Sequence, residues 1–396
     1  MKVNSKSFYY SPVSHSKISL IYPWNDWIID LFALVPIKKQ RNKIITSLES
    51  ILNHRKIFFT SSGSAALTLA IKSLHLAPNS EVLITSFNCP AVIDSIIAAG
   101  AVPVLIDINS YGGINIKSAR KALSNRTKAI VATNVYGLVD NLELLNEFCK
   151  NNNLYFINDL AQTFENLDSK KNLNKFGDIS IYSFSPGKHL FALGGGCLMV
   201  NNNSLIKYAE KLYPNKVDGM ALRFFLQRGR YYFKFLARKY FPLLIKLNIK
   251  KMATDITKPN SVPIYRMSDS QLFSLLSKLK TYKKYYDTTQ ENFELLRSRL
   301  KYNLLYSEHE HVSLPLYATI IVKDDHRYKL ASYLDMNNIP TTWNYLPLYY
   351  FNAYKKYKII DKKMVEILWR KTLSIPFRYP INTHVIEKII SLVNTY

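Results

Sequence analysis

Between residues 56 and 200, short runs of apolar, β-branched residues take turns with stretches of helical period. No other feature constrains the fold as far. The runs are "KIFFT" (56–60), "EVLIT" (81–85), "VPVLID" (102–107), "TKAIVAT" (127–133), "LYFIND" (154–159), "ISIYSF" (179–184) and "GCLMV" (196–200). Helical stretches such as "SAALTLAIKSL" (64–74) and "PAVIDSIIAAG" (90–100) stand between most of them. Strands that are apolar throughout are covered on both faces, and strands separated by helices pair in parallel. The expected fold class is therefore α/β: a large domain with a mostly parallel seven-stranded sheet between helices, plus a smaller C-terminal α+β domain. Ligands in such sheets sit at the carboxyl ends of the strands.

The alternation stops at about residue 201. Residues 268–300 read as one long helix with a polar face. "LYATIIV" (316–322), a helix around "RYKLASYLDMNN" (327–338) and "IPTTWNY" (339–345) make the smaller unit. The expected division is an N-terminal segment (1–50), a large domain (51–260) with a basic insertion at 218–255, and a connecting helix with a small domain (261–396).

The chain has 396 residues, 48% of them hydrophobic and 20% charged, which is a globular composition. The start, "MKVNSKSFYY", has no apolar core of the kind a secretory signal needs. "WIIDLFALVPI" (27–37) contains Asp30 and is too short to span a bilayer. Cys89, Cys149 and Cys197 have no metal-type spacing, so a reducing compartment, the cytoplasm, and no bound metal are expected. A net charge of +25 implies acidic partners: nucleic acid, an anionic membrane surface or a phosphorylated substrate. Neither a zinc finger nor an RNA-recognition signature is present, so no nucleic-acid partner is expected.

Three strand ends carry chemistry. In "TSSGSAAL" a strand is followed by Ser62, Gly63 and Ser64 and then by a helix. Free N–H groups and the helix dipole make such a turn an anion site, although an ordinary N-cap reads the same way. In "YFINDLAQT" a strand ends on Asp159, with Gln162 three residues on. An acid there can hold a positive ring nitrogen, or simply cap a helix. In "SFSPGKHLFALGGG" Lys188 stands alone among small and apolar residues. A lysine in such surroundings loses part of its preference for charge and becomes a nucleophile, whereas Pro186-Gly187 also suits a surface turn. Together a phosphate cradle, a ring acid and an amine nucleophile are the parts that pyridoxal 5'-phosphate requires.

The sequence resembles the DegT/DnrJ/EryC1/StrS family of sugar aminotransferases, which have the fold-type I architecture. The matching segments are "SSGSAAL", "PVLIDIN" (103–109), "RTKAIVATNVYG" (126–137), "INDLAQT" (157–163), "FGDISIYSFSPGKHL" (176–190), "YRMSDSQ" (265–271) and "LSIPF" (373–377). The resemblance implies pyridoxal 5'-phosphate as cofactor. Lys188 would capture its aldehyde and then carry protons, Asp159 would pair with the ring nitrogen, and Gln162 would reach the phenolic oxygen. The implied cofactor-binding set is Ser62, Gly63, Ser64, Ala65, Cys89, Asp159, Gln162, Ser183, Lys188 and His189. Three positions depart from the family pattern. Cys89 stands where relatives place an aromatic residue on the ring, with Phe87 as an alternative. Ile264 replaces an asparagine that reaches the neighbouring subunit. Tyr349, in "LPLYY", replaces a histidine near the substrate.

"ALRFFLQRGRYYFKFLARKYFPLLIKLNIKK" (221–251) holds nine Lys and Arg and no acid. Arg223, Gln227, Arg230, Lys234 and Arg238 share one helical face, and aromatic residues fill much of the rest. Such a helix suits an anionic membrane interface; it equally suits packing on a partner, or a lid over a diphosphate. The expected activity is amino transfer, from a donor such as glutamate, onto a keto-sugar carried on a nucleotide diphosphate or a lipid phosphate. It would be carried out by a homodimer in the cytoplasm, peripheral on the inner membrane face. The alternative is a membrane-associated, non-catalytic protein that kept the fold.

Overall fold

A computed structural model describes residues 24–35, 40–54, 56–163, 165, 172–227, 229, 256–306, 313–323, 326–378 and 380–396. Two helices, α1 (Trp24–Leu34) and α2 (Arg41–Ile51), precede the sheet. Then follow β1 (Ile57–Thr60), α3 (Gly63–Ser73), β2 (Glu81–Thr85), α4 (Pro90–Ala98), β3 (Val102–Ile106), α5 (Ile116–Ala122) and β4 (Thr127–Thr133). The large unit continues through α6 (Leu142–Asn151), β5 (Tyr155–Asp159), β6 (Ile179–Ser183), β7 (Gly196–Val200) and α7 (Asn203–Leu212).

The strands lie in the order β1-β7-β6-β5-β4-β2-β3-β9. All pairings are parallel except those of β7 with β1 and β6. Seven of these strands lie where the sequence predicts them. The eighth, β9 (Ile359–Ile360), corrects the expected count of seven. Only two residues long, it carries no period to recognise, and it joins the edge by pairing Leu105 with Ile359 and Ile106 with Ile360. The pleat sends successive side chains into two separate layers. Leu83, Ile130, Phe156 and Cys197 enter one; Val82, Ile84, Val131, Ile157 and Leu198 enter the other. Both layers are covered by helices, which is why the strands are apolar throughout.

The single helix expected over 268–300 is two: α8 (Asp269–Lys280) and α9 (Tyr282–Arg299). Between them the Thr281 hydroxyl and N–H both donate to the Lys278 carbonyl, at 3.1 and 3.2 Å. A side chain that competes for a backbone acceptor in this way interrupts a helix. Beyond them, β8 (Ala318–Ile321) pairs antiparallel with β10 (Thr372–Ile375). A third apolar cluster fills the space between this pair and helices α9, α10 (His326–Met336) and α12 (Thr383–Thr395), while α11 (Lys363–Lys371) leads into β10. "IPTTWNY" forms no strand, and only Thr342 bridges to Ser374. Of the basic segment 221–251, residues 221–227 are helical; Arg230, Lys234, Arg238 and Pro242 lie outside the described residues.

Candidate active site

The carboxyl ends of β1, β2, β4, β5 and β6 meet along one edge, and the residues singled out in the sequence gather there. β1 turns at Ser62, whose Oγ accepts from the Ala65 N–H at 3.0 Å and caps α3. Gly63 follows because nothing larger fits: a Cβ there would lie 2.6 Å from Ser183 Cβ. That approach sets the Ser183 hydroxyl against the first turn of α3. Gly195, at φ 103°, bends the chain so that its N–H reaches the Ser61 carbonyl at 3.1 Å.

Asp159 ends β5 and is 1% exposed. Its carboxylate accepts from the Thr133 hydroxyl at 2.9 Å and the Ala161 N–H at 3.0 Å. Thr133 in turn accepts from the Asn88 amide at 3.0 Å, which orients its proton toward Asp159. Burial raises the Asp159 pKa; the Ala161 N–H, the Lys188 charge and the Thr133 hydroxyl oppose it. Gln162 accepts from the Tyr136 N–H at 3.0 Å, so its amide NH₂ is kept as a donor.

Lys188 lies on the turn after β6, with its N–H on the Ser185 carbonyl at 3.2 Å. Its side chain keeps a partial opening to solvent but is crowded by protein. That crowding lowers its pKa, against the pull of Cys89 and Asp159, and Arg378 lowers it further. Burial raises the Cys89 thiol, and Lys188 is the first group opposing it. Lys188, Asp159 and Cys89 thus lie within one another's electrostatic reach.

His189, next in the chain, is 3% exposed. Burial, Arg378 and Lys188 hold it well below the ordinary imidazole range. The backbone of Gln162 and Leu314 acts the other way, yet neither ring nitrogen closes a hydrogen bond of good geometry.

Two of the positions that depart from the family pattern belong to the second sheet layer, as Cys89 does. Tyr349 packs in the second sheet layer and donates to Glu366 at 2.8 Å; Lys362 lies over its ring. Ile264 packs against the same layer. Phe87 is fully buried beside Tyr136, so it belongs to the core.

Three other side chains reach the cluster from beyond residue 280. Tyr345 lies near Cys89 and Asp159 and stacks on Tyr136 at 6.3 Å. Tyr285 meets the His189 ring edge-on at 6.4 Å. Arg378, 3% exposed, donates to the Gly187 carbonyl at 3.3 Å and the Tyr285 hydroxyl at 3.4 Å. No spacing connects these residues to Lys188, so the sequence reading missed them. The position of Arg378, just after the family-like "LSIPF", was the one available signal. Among the described residues no group of three or more His, Cys, Asp or Glu could hold a metal ion.

Comparison with known proteins gives a consistent result. A family model described as the DegT/DnrJ/EryC1/StrS aminotransferase family matches residues 41–394. GDP-perosamine synthase of Vibrio cholerae is 27% identical over 175 residues, 44% of this chain and 48% of that protein. A UDP-N-acetyl-3-dehydro-alpha-D-glucosamine 3-aminotransferase of Acidithiobacillus ferrooxidans is 32% identical over 140 residues, 35% of this chain and 38% of that protein. The chain therefore spans half or less of the length of these two relatives. The crystal structure of NtdA from Bacillus subtilis, with bound cofactor PMP, superposes with a TM-score of 0.73 at 17% identity. The superposition covers 97% of this chain and 86% of that one, a likeness of fold.

Proposed function

The chain belongs to the DegT/DnrJ/EryC1/StrS aminotransferase family, and on that premise we propose that it is a pyridoxal-phosphate-dependent sugar aminotransferase. The substrate would be a keto-sugar on a nucleotide diphosphate or a lipid phosphate, with glutamate as amino donor. One observation carries this reading: Lys188 and Asp159, 29 residues apart, stand at or just past the ends of the paired strands β6 and β5 and lie within each other's electrostatic reach.

The residues present fit the cofactor. Gly63 and Ser183 leave room for no side chain at the head of α3, where N–H groups and hydroxyls suit a phosphate. Asp159 has a carboxylate oriented by two donors. When bound, pyridoxal phosphate supplies an aldehyde that an amine can capture and a ring that accepts electrons. Lys188 Nζ would take up and return the proton, its lowered pKa favouring the neutral amine. Asp159 would hold a positive charge at the ring nitrogen, and Gln162 would donate from its amide. The partly buried Cys89 would border the ring, with Tyr345 nearby contributing the aromatic surface that Cys89 lacks.

Borohydride reduction after incubation with pyridoxal phosphate tests the reading. A cofactor-sized mass on the peptide containing Lys188, absent in Lys188→Ala, is the expected result. Native protein without that mass refutes it.

We further propose a homodimer and a peripheral contact with anionic membrane through 221–251. Support comes from exposed apolar residues: Leu222 and Leu226 at the start of that segment, and Ile28, Leu31 and Phe32 on α1. Among the described residues no helix is long and apolar enough to cross a membrane. Flotation with anionic but not zwitterionic vesicles, and sedimentation as a dimer, are the expected results. A division near residue 260 also stands as a proposal. β9 and Tyr354, from beyond it, nevertheless pack into the large sheet's layers.

A further inference from the structure

We propose that Cys89 and Tyr345 are a matched pair: together they set the width of the slot for the cofactor ring, and Tyr345 excludes an aromatic side chain from position 89. This rests on the reading that Lys188 captures the cofactor.

A ring that reaches from Lys188 to Asp159 must pass the side chains that lie near both. Cys89, between β2 and α4, is within electrostatic reach of Lys188 and of Asp159. Tyr345, from the far side of the chain, is within reach of Cys89 and of Asp159. Both are partly buried, so each has surface left to cover. A planar ring gains from a flat neighbour, which Tyr345 can offer and a thiol cannot.

Neither wall is free to give way. The Cys89 N–H donates to Asn88 Oδ1 at 2.8 Å, the Asn88 amide donates to Thr133 at 3.0 Å, and the Thr133 hydroxyl donates to Asp159 at 2.9 Å. The backbone that carries the thiol is thus tied to the ring acid. Tyr345 is fixed as firmly. It stacks on Tyr136 at 6.3 Å and meets Phe87 edge-on at 6.1 Å, and both of those rings are fully buried. The Leu348 N–H donates to the Ser86 carbonyl at 2.8 Å, which ties the Tyr345 segment to the turn that carries Cys89. A phenyl group in place of the thiol would fill space between two walls that are bound to each other, and overpacking of that kind is costly.

Equilibrium titration with 4-deoxypyridoxine 5'-phosphate, which has the ring and the phosphate but no aldehyde, tests the pair without capture or turnover. Tyr345→Ala weakens the analogue about tenfold, and Tyr345→Phe holds it within about threefold, because the ring and not the hydroxyl is used. Cys89→Phe also weakens it about tenfold, although it adds an aromatic group. Cys89→Phe combined with Tyr345→Ala binds within about threefold of the native protein, the non-additivity expected of two groups that share one space. Alkylation by iodoacetamide is an independent readout. Cys149 and Cys197 are 2% and 0% exposed, so labelling reports on Cys89, and the analogue slows it in the native protein. Tighter binding by Cys89→Phe alone overturns the proposal, as does a double variant that loses the product of the two single losses, or labelling that the analogue leaves unchanged. If Cys89→Phe fails to fold by circular dichroism, Cys89→Leu takes its place with the same expected signs. Native protein that takes the cofactor mass on Lys188 but shows no coupling between 89 and 345 refutes the pair alone. Absence of that mass refutes the cofactor reading, and the pair with it.

Discussion

Lys188 is held among groups that pull its proton in opposite directions, and burial prevails. The cofactor-free folded chain therefore binds fewer protons at this residue than the unfolded chain does. Linkage gives the sign. The penalty is full below the lowered pKa, shrinks as pH rises toward the ordinary lysine value, and is gone above it. Lys188→Met should thus raise the urea midpoint of cofactor-free protein at neutral pH, and the advantage should narrow as pH climbs. Equal midpoints at every pH would contradict the burial argument. Gly63 has its own test at this scale. A methyl group on Gly63 collides with Ser183 Cβ, so Gly63→Ala should cost about 1–3 kcal/mol through overpacking. Adding Ser183→Gly removes that carbon and should recover most of the loss in chemical denaturation. If the double variant is no better than the single one, the close approach is not the cause.

At the scale of elements, α8 joins distant parts of the chain to the lysine turn. Gln271, Ser274 and Lys278 form one stripe of this helix, buried although polar. Gln271 donates to the Leu193 carbonyl at 3.0 Å, and Lys278 donates to that of Phe191. Asp30 of α1 accepts from Ser274 at 2.6 Å and Lys278 at 2.8 Å. Removing one partner of a buried ion pair leaves a stranded charge, so Lys278→Met should cost about 3–5 kcal/mol. Lys278→Met with Asp30→Leu should regain much of that in a urea titration; a double variant worse than the single would exclude the pair as the cause.

This seam also shows where sequence reading ends. Strands 81–85, 127–133 and 196–200 were legible because each is apolar and bounded by turn residues. The turns of Ser62, Asp159 and Lys188 were legible because each follows such a strand. Asp30 looked only like an obstacle to a membrane span, for its partner is 248 residues away. Thr281 and Ile359–Ile360 act through one hydroxyl and two residues, too little to alter a periodic pattern. Arg378 and Tyr345 enter the site through tertiary packing alone.

For the whole molecule, charge is the quantity that acts across every element at once. Lys and Arg number 53 against 28 Asp and Glu, so nearly half of the cations have no acid to match them one for one. Such an excess repels itself more strongly in the compact state than in the expanded one. The exposed ion pairs that exist, such as Lys121–Asp361 at 2.9 Å and Arg299–Glu387 at 3.3 Å, offset little of it. Added salt shortens the screening length from about 30 Å at 0.01 M to about 8 Å at 0.15 M, roughly the scale of neighbouring surface charges. The melting temperature should therefore rise between those two sodium chloride concentrations. Equiosmolar sucrose serves as the control, because it acts by exclusion from the surface and does not screen charge. The buried Asp30–Lys278 pair is screened much less, so the Lys278→Met loss should persist across the series. A melting temperature that falls with salt would mean that attractive pairs outweigh the repulsion. The excess would then be held in a compensated arrangement, and its contribution to any anionic surface contact would be correspondingly smaller.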